Sequence, residues 1–159
     1  MNGKIFINAA YQLPQAPAYI ERQDMAGLNL NKPVTQCPKG YVLNKCNVCL
    51  NPFCCYSFEG KRVYVTLQAA EIEVGKFGIG YELNVMGSDS SCGGSSSSPS
   101  SSGMITDIKG AFYKHLSWFI NSLKNDKMIS SKNIRAEIKS DLALLEQDFY
   151  NMFGQQSLF

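Results

Sequence analysis

Five of the chain's six cysteines fall within nineteen residues, Cys37 to Cys55, in the run CPKGYVLNKCNVCLNPFCC. Sulfur at that density admits three chemistries. The first is a metal site, because thiolates bind zinc when four ligands reach a tetrahedron with sulfur about 2.3 Å from the metal. Cys46-Asn47-Val48-Cys49 has the two-residue gap from which a tight knuckle presents two sulfurs, and Cys37 precedes the turn-like Pro38-Lys39-Gly40. Cys37, Cys46, Cys49 and Cys54 are the candidate zinc ligands. A second C-x-x-C is absent, and neighbours on a strand point to opposite faces, so only one of Cys54 and Cys55 serves. The second chemistry is none: the thiols are reduced, buried and structural, and no cofactor is bound. The third is disulfide bonding, which an export signal would favour. The N-terminal MNGKIFINAAYQL has one lysine and a short apolar stretch broken by Asn8, and it reads as a first strand over Lys4 to Ile7.

Other catalytic patterns are missing. The single histidine, His115, lies between Lys114 and Leu116 with no serine, cysteine or aspartate near it in a nucleophile setting, which predicts a structural or solvated side chain. Gly75-x-x-Gly78-x-Gly80 lacks the lysine and hydroxyl of a phosphate loop and is better read as a turn followed by strand glycines. Glu71, Glu73 and Glu82 alternate with apolar residues as on a solvated sheet face. Glu137, Asp141, Glu146 and Asp148 have the look of a solvated helix face. The chain is therefore expected to be non-enzymatic. A net charge of +2 argues for neither nucleic acid nor an anionic membrane. Lys124, Lys127, Lys132, Arg135 and Lys139 gather around one connection, but Asp126, Glu137 and Asp141 dilute them. No apolar run approaches the ~20 residues of a membrane span.

The elements that must position these groups follow from periodicity. Residues 1–36 form a first strand and an extended arm. Pro14, Pro17 and Pro33 prevent regular structure, while Tyr11, Leu13, Tyr19, Ile20, Met25, Leu28 and Leu30 supply side chains worth burying. Leu13-Pro14-Gln15-Ala16-Pro17 has the P-x-x-P spacing that fits a proline-recognition groove. Residues 37–86 hold the cysteine stretch and a small antiparallel meander, with strands over Phe53 to Phe58, Lys61 to Leu67, Glu71 to Val74 and Ile79 to Val85. Residues 87–103, GSDSSCGGSSSSPSSSG, read as a serine-rich connector with an exposed thiol at Cys92, transmitting little packing. Residues 104–159 carry two apolar stripes at helical spacing, one along Ile105, Ile108, Phe112, Leu116, Phe119 and Leu123. The second runs through Ile134, Ile138, Leu142, Leu145, Phe149 and Met152. A short connection makes them an antiparallel hairpin, with Ser130 or Ser131 as a cap and Gly154 as the stop.

The expected fold is thus α+β: an arm, a small antiparallel sheet, a serine-rich connector and a helical hairpin. An adhesive arm, a tethered hairpin and no catalytic constellation predict a structural or assembly protein acting through subunit contacts, in a homo- or hetero-oligomer. A small virion component, such as a capsid accessory or head–tail connector subunit, would use such parts; that is an analogy of architecture. The alternative is a zinc-stabilised adaptor or regulatory module recruiting protein or nucleic acid, and a third reading is a thiol-dependent enzyme. The partner-binding candidates are Tyr11, Leu13 and Tyr19 on the arm, with Trp118 and Tyr150 standing off the two helical stripes. An intracellular or virion setting is expected over a secreted one.

Overall fold

The computed structural model describes residues 13–21, 27, 29–87, 92–125 and 132–154. The expected strand over Lys4 to Ile7, Tyr11, and the capping serines Ser130 and Ser131 lie outside them. The fold is α+β. Strands β1 (Thr35–Gln36) and β2 (Val42–Leu43) form a small antiparallel ribbon. Strands β3 (Phe53–Glu59), β4 (Val63–Glu73), β5 (Lys76–Met86) and β6 (Cys92–Ser97) form a four-stranded antiparallel sheet in chain order. Helices α1 (Ile108–Asn125) and α2 (Lys132–Phe153) follow as the expected hairpin. No helix among the described residues is long and apolar enough to cross a membrane.

Alternation builds the meander. Val63, Val65 and Leu67 are buried on one face of β4, as their spacing requires. The two strands expected over 61–67 and 71–74 are one, because Gln68 and Ala69 pair on both sides, with Cys54, Phe53, Gly80 and Ile79, and Ala70 pairs with Gly78. The turn into β5 lies at Gly75, whose φ of 75° suits glycine. A bulge between Cys54 and Tyr56 leaves Cys55 as the extra residue, so Cys55 and Tyr56 both turn inward.

The connector expected over 87–103 is in large part sheet. Residues 92–97 pair with β5 from Cys92↔Met86 to Ser97↔Tyr81. Serine and glycine bury little, but a ladder of main-chain hydrogen bonds needs no side chain. Beyond β6 the chain crosses the sheet on the face opposite Tyr81. Side chains on Gly80 and Gly78 would collide with Pro99 and with the Ser100 main chain, which explains both strand glycines.

The helices cover the other face. All the stripe residues of both helices from Ile108 to Met152 are buried, and they share one core cluster with β3, β4 and β5. The hairpin is therefore no tethered appendage, and its packing is continuous with the sheet. Asp107 caps α1, its Oδ1 accepting the Gly110 N–H at 2.9 Å. Gly154 ends α2 at φ 71°, its N–H donating to Tyr150 O at 2.7 Å.

Candidate functional site

The cysteine stretch and the arm build the least regular layer among the described residues. Cys37 precedes a 3-10 turn over Pro38–Gly40 in which Lys39 adopts φ 60°, an uncommon conformation for a residue with a side chain. That conformation accompanies a Lys39 ammonium placed 3.1 Å from Glu71 Oε1 and 2.6 Å from Leu13 O. Glu71 is thus buried and paired, not part of a solvated face. The C-x-x-C knuckle is organised by an amide: Asn44 Oδ1 accepts the Cys46 N–H at 2.8 Å and the Val48 N–H at 3.0 Å.

The four candidate ligands are not brought together. Cys46 and Cys54 are exposed, Cys49 is buried and Cys37 is half-buried. Among the described residues no three His, Cys, Asp or Glu side chains gather closely enough to hold a metal. The physical reason is local: the Asn44 turn directs Cys46 to solvent, and strand alternation directs Cys54 away from the core that Cys55 enters. Burial pushes the Cys49 thiol up to about 11 and the Cys55 thiol up to about 12. Burial also raises Cys37 and Cys54. Nucleophilic cysteines require the opposite shift.

These residues instead frame a groove that holds the arm. Tyr41, fully buried, donates its hydroxyl to Pro14 O at 3.1 Å. The Asn51 amide nitrogen donates to Pro17 O and to Gly40 O, each at 3.0 Å, while its Oδ1 accepts the Val42 N–H at 2.9 Å. The Ala16 N–H donates to Lys39 O at 2.8 Å. Leu13, 4% exposed, enters the core cluster beside Tyr41, Leu43, Cys49 and Cys55. A proline-containing segment offers carbonyls in place of N–H groups, and pre-proline residues are driven to extended conformations. The groove answers with fixed donors. The P-x-x-P stretch thus packs on residues of its own chain.

The arm candidates accordingly turn inward. Leu13 is core, and Tyr19 is half-buried with its hydroxyl donating to Asn31 O. Trp118 and Tyr150 do stand exposed, as does Leu144. At ~3.6 residues per turn, Leu144 belongs to the row with Glu137, Asp141 and Asp148, and Tyr150 belongs to a different flank of α2. Off-stripe Tyr113 is core, packed on Phe149 and Phe153 with ring centroids 5.3 and 5.4 Å apart.

The acidic row on α2 is structural. Asp141, 2% exposed, accepts the N–H groups of Lys61 at 2.9 Å, Arg62 at 2.6 Å and Val63 at 3.0 Å. Tight two-residue hairpins favour turns with positive φ, yet neither Lys61 nor Arg62 has it. Three successive N–H groups then converge on the carboxylate, and the turn is held from outside. Glu137 pairs with Arg62, Glu146 with Lys124, and Asp148 accepts the Tyr56 hydroxyl at 2.6 Å. His115 stacks on Tyr81 with centroids 4.4 Å apart, and desolvation followed by Lys114 lowers its pKa. It borders a cleft of about 800 Å³ whose carboxylate, Asp107, is engaged in capping α1.

Comparison of the chain with protein-family models, with curated proteins and with solved structures finds no match.

Proposed function

We propose that this chain is a non-enzymatic structural or assembly protein that works through contacts with other protein subunits. The observation that carries the reading is Trp118. Its side chain is 57% exposed on α1, while its sequence neighbour Phe119 is buried. A tryptophan left in water gives up the large burial its ring offers, and tryptophan is enriched among the residues that anchor protein interfaces. Two further observations agree. Several titratable groups are engaged within the fold: Asp141 binds main chain, Glu71 pairs with Lys39, His115 stacks, and burial raises the Cys49 and Cys55 thiols. Apolar side chains also stand in solvent away from the helices, at Ile20, Val34 and Val74. Among assemblies, a capsid accessory or connector subunit would use this architecture.

The test is sedimentation of the purified chain over a concentration series, with and without Trp118→Ala. An interface anchor costs roughly 2 kcal/mol or more on truncation, about thirtyfold in affinity. Self-association should weaken by that factor while thermal unfolding of the dilute chain barely moves. A chain that stays monomeric to its solubility limit, or whose association ignores Trp118, counts against the reading.

A further inference from the structure

We propose that the groove framed by Lys39, Tyr41 and Asn51 takes the arm of a second copy of this chain, so that residues 13–17 are exchanged between subunits. The inference rests on the assembly reading and names its partner and its contact. The groove is preformed. Asn51 is fixed by Val42 N and Gly40 O and Lys39 by Glu71, contacts that do not involve the arm, so these donors are in place whichever arm arrives. Preorganised donors of this kind bind without an ordering cost of their own. The ligand they recognise is the carbonyl row of Leu13, Pro14 and Pro17 with the Leu13 side chain. A second copy presents that same row, and docking in trans repeats every one of these contacts.

Reach permits the exchange. The connection from Ala18 to Val34 is seventeen residues, which extend to about 55 Å. A compact chain of this length is about 40 Å across. A tether that long also holds its own arm at only a modest effective concentration, which a neighbouring subunit in an assembly can match. Among the described residues, the hydrogen bonds that opening the connection can give up run from Tyr19 to Asn31 O, from Asn44 to Leu30 O and from Val34 N–H to Leu43 O. The same connection leaves Ile20 78% exposed and Val34 63% exposed when the arm docks on its own chain. Those are the side chains that a crossing between two subunits would cover. Exchange of a terminal element is a low-cost route to symmetric oligomers.

Gly40 gives the reporter. A Cβ built there lies 3.8 Å from Ala16 Cβ, inside the span of about 3.5–4.5 Å that a disulfide requires. One sample of the full chain carries Ala16→Cys and the other carries Gly40→Cys, both with Cys46, Cys54 and Cys92 replaced by serine. The two are mixed, equilibrated and oxidised. A crosslinked dimer of one chain of each kind is expected, and it should disappear when the Ala16→Cys chain also carries Leu13→Asp. Because Gly40 has φ 87°, where a side chain is strained, a second measurement uses Leu13→Asp alone in the native background. It should lower the oligomer's association constant at least tenfold with the helical circular dichroism retained. If the chain is oligomeric but crosslinks form only within a chain carrying both cysteines, exchange is overturned and the assembly reading stands. If the chain is monomeric and the mixture gives no crosslink, exchange and self-assembly both fall.

Discussion

On the helical side of the sheet, Leu142, Leu145 and Phe149 meet Phe112, Leu116 and the inner faces of β3 to β5, and the backbone satisfies itself within helices and ladders. In the irregular layer, the described residues of 13–51 and 98–101 have only the short ribbon β1–β2 and isolated bridges for a ladder. There two buried asparagines substitute for it. Asn44 bonds Cys46 N, Val48 N and Leu30 O, and Asn51 bonds Val42 N, Gly40 O and Pro17 O. One layer is held by area and the other by a few directional bonds. The first should therefore fail in proportion to volume removed, and the second should fail at particular atoms.

Asp141 is where the two rules meet, a directional bond set inside the area-driven layer, and it should give the largest effect. Asp141→Ala orphans the N–H groups of Lys61, Arg62 and Val63. Each orphaned donor costs roughly 1–3 kcal/mol, water entering the space offsets part, and the net is on the order of 3–5 kcal/mol. Gly60→Ala should also destabilise, since its new methyl would collide with the Asp141 carboxylate. A double-mutant cycle by urea denaturation checks the geometry: the Gly60→Ala cost should shrink once Asp141 is alanine. Simple additivity would mean the two groups do not touch.

Leu142→Ala should follow at about 3 kcal/mol, from lost transfer energy plus a cavity. The continuity of the core predicts where the damage goes. Amide exchange should quicken in β4 together with α2, because Leu142 shares a cluster with Val65 and Leu67. Exchange confined to the helices would restore the picture of a tethered hairpin.

Asn51→Leu tests the other rule at roughly 2 kcal/mol, since it conserves bulk while stranding Val42 N, Gly40 O and Pro17 O. Its damage should be local. Limited proteolysis should cut the arm first, with the far-ultraviolet helical signal intact. Asn51→Asp sharpens the point, because it keeps the acceptor for Val42 N and faces two carbonyls with a carboxylate. An arm as protected in either variant as in the parent would show that Leu13 alone anchors it.

How legible each layer was in the sequence follows from the same contrast. The helical stripes and Val63, Val65 and Leu67 were visible because burial imposes a period on side chains. Asp141 left a readable trace that a search for apolar periodicity passes over. It lies three residues after Ile138 and four before Leu145, inside the stripe, where a solvated acid does not belong. The strand β6 left none, because main-chain pairing puts no constraint on a run of serine and glycine beyond small size. The arm groove is equally silent, since it reads carbonyls that every sequence has. The cysteine spacing suggested a metal, while the bond that shapes the knuckle comes from Asn44. Asparagine at that position looks like ordinary turn chemistry.

The smallest effects separate the two sides by pH. On the helical side His115 has its pKa lowered, so the unfolded chain binds the proton more readily. That contribution is fully present above the ordinary value of 6.5 and is lost as pH falls through it toward the lowered value. On the other side the sign reverses. Cys49 and Cys55 are raised from 9.0 to about 11 and about 12. The native state keeps protons there that the unfolded chain releases, so their contribution is intact below 9.0 and declines as pH rises toward the raised values. Each thiol adds a slope of at most about 1.4 kcal/mol per pH unit in that window. Tyr41 is also raised, as is Tyr56 on the helical side against Asp148, and both add slopes of the same sign above 10.0. Urea denaturation at a series of pH values should therefore fall away above pH 9. Cys55→Ala should flatten part of that decline while lowering stability throughout, and His115→Gln should alter only the acid limb. Thiol titration gives an independent check. Exposed Cys46 and Cys54 should react with a disulfide reagent in the folded chain, whereas Cys49 and Cys55 should react only at the rate the fold opens. If Cys55 reacts as fast as Cys46, the bulge does not turn it into the core, and the alkaline limb must come from the tyrosines alone.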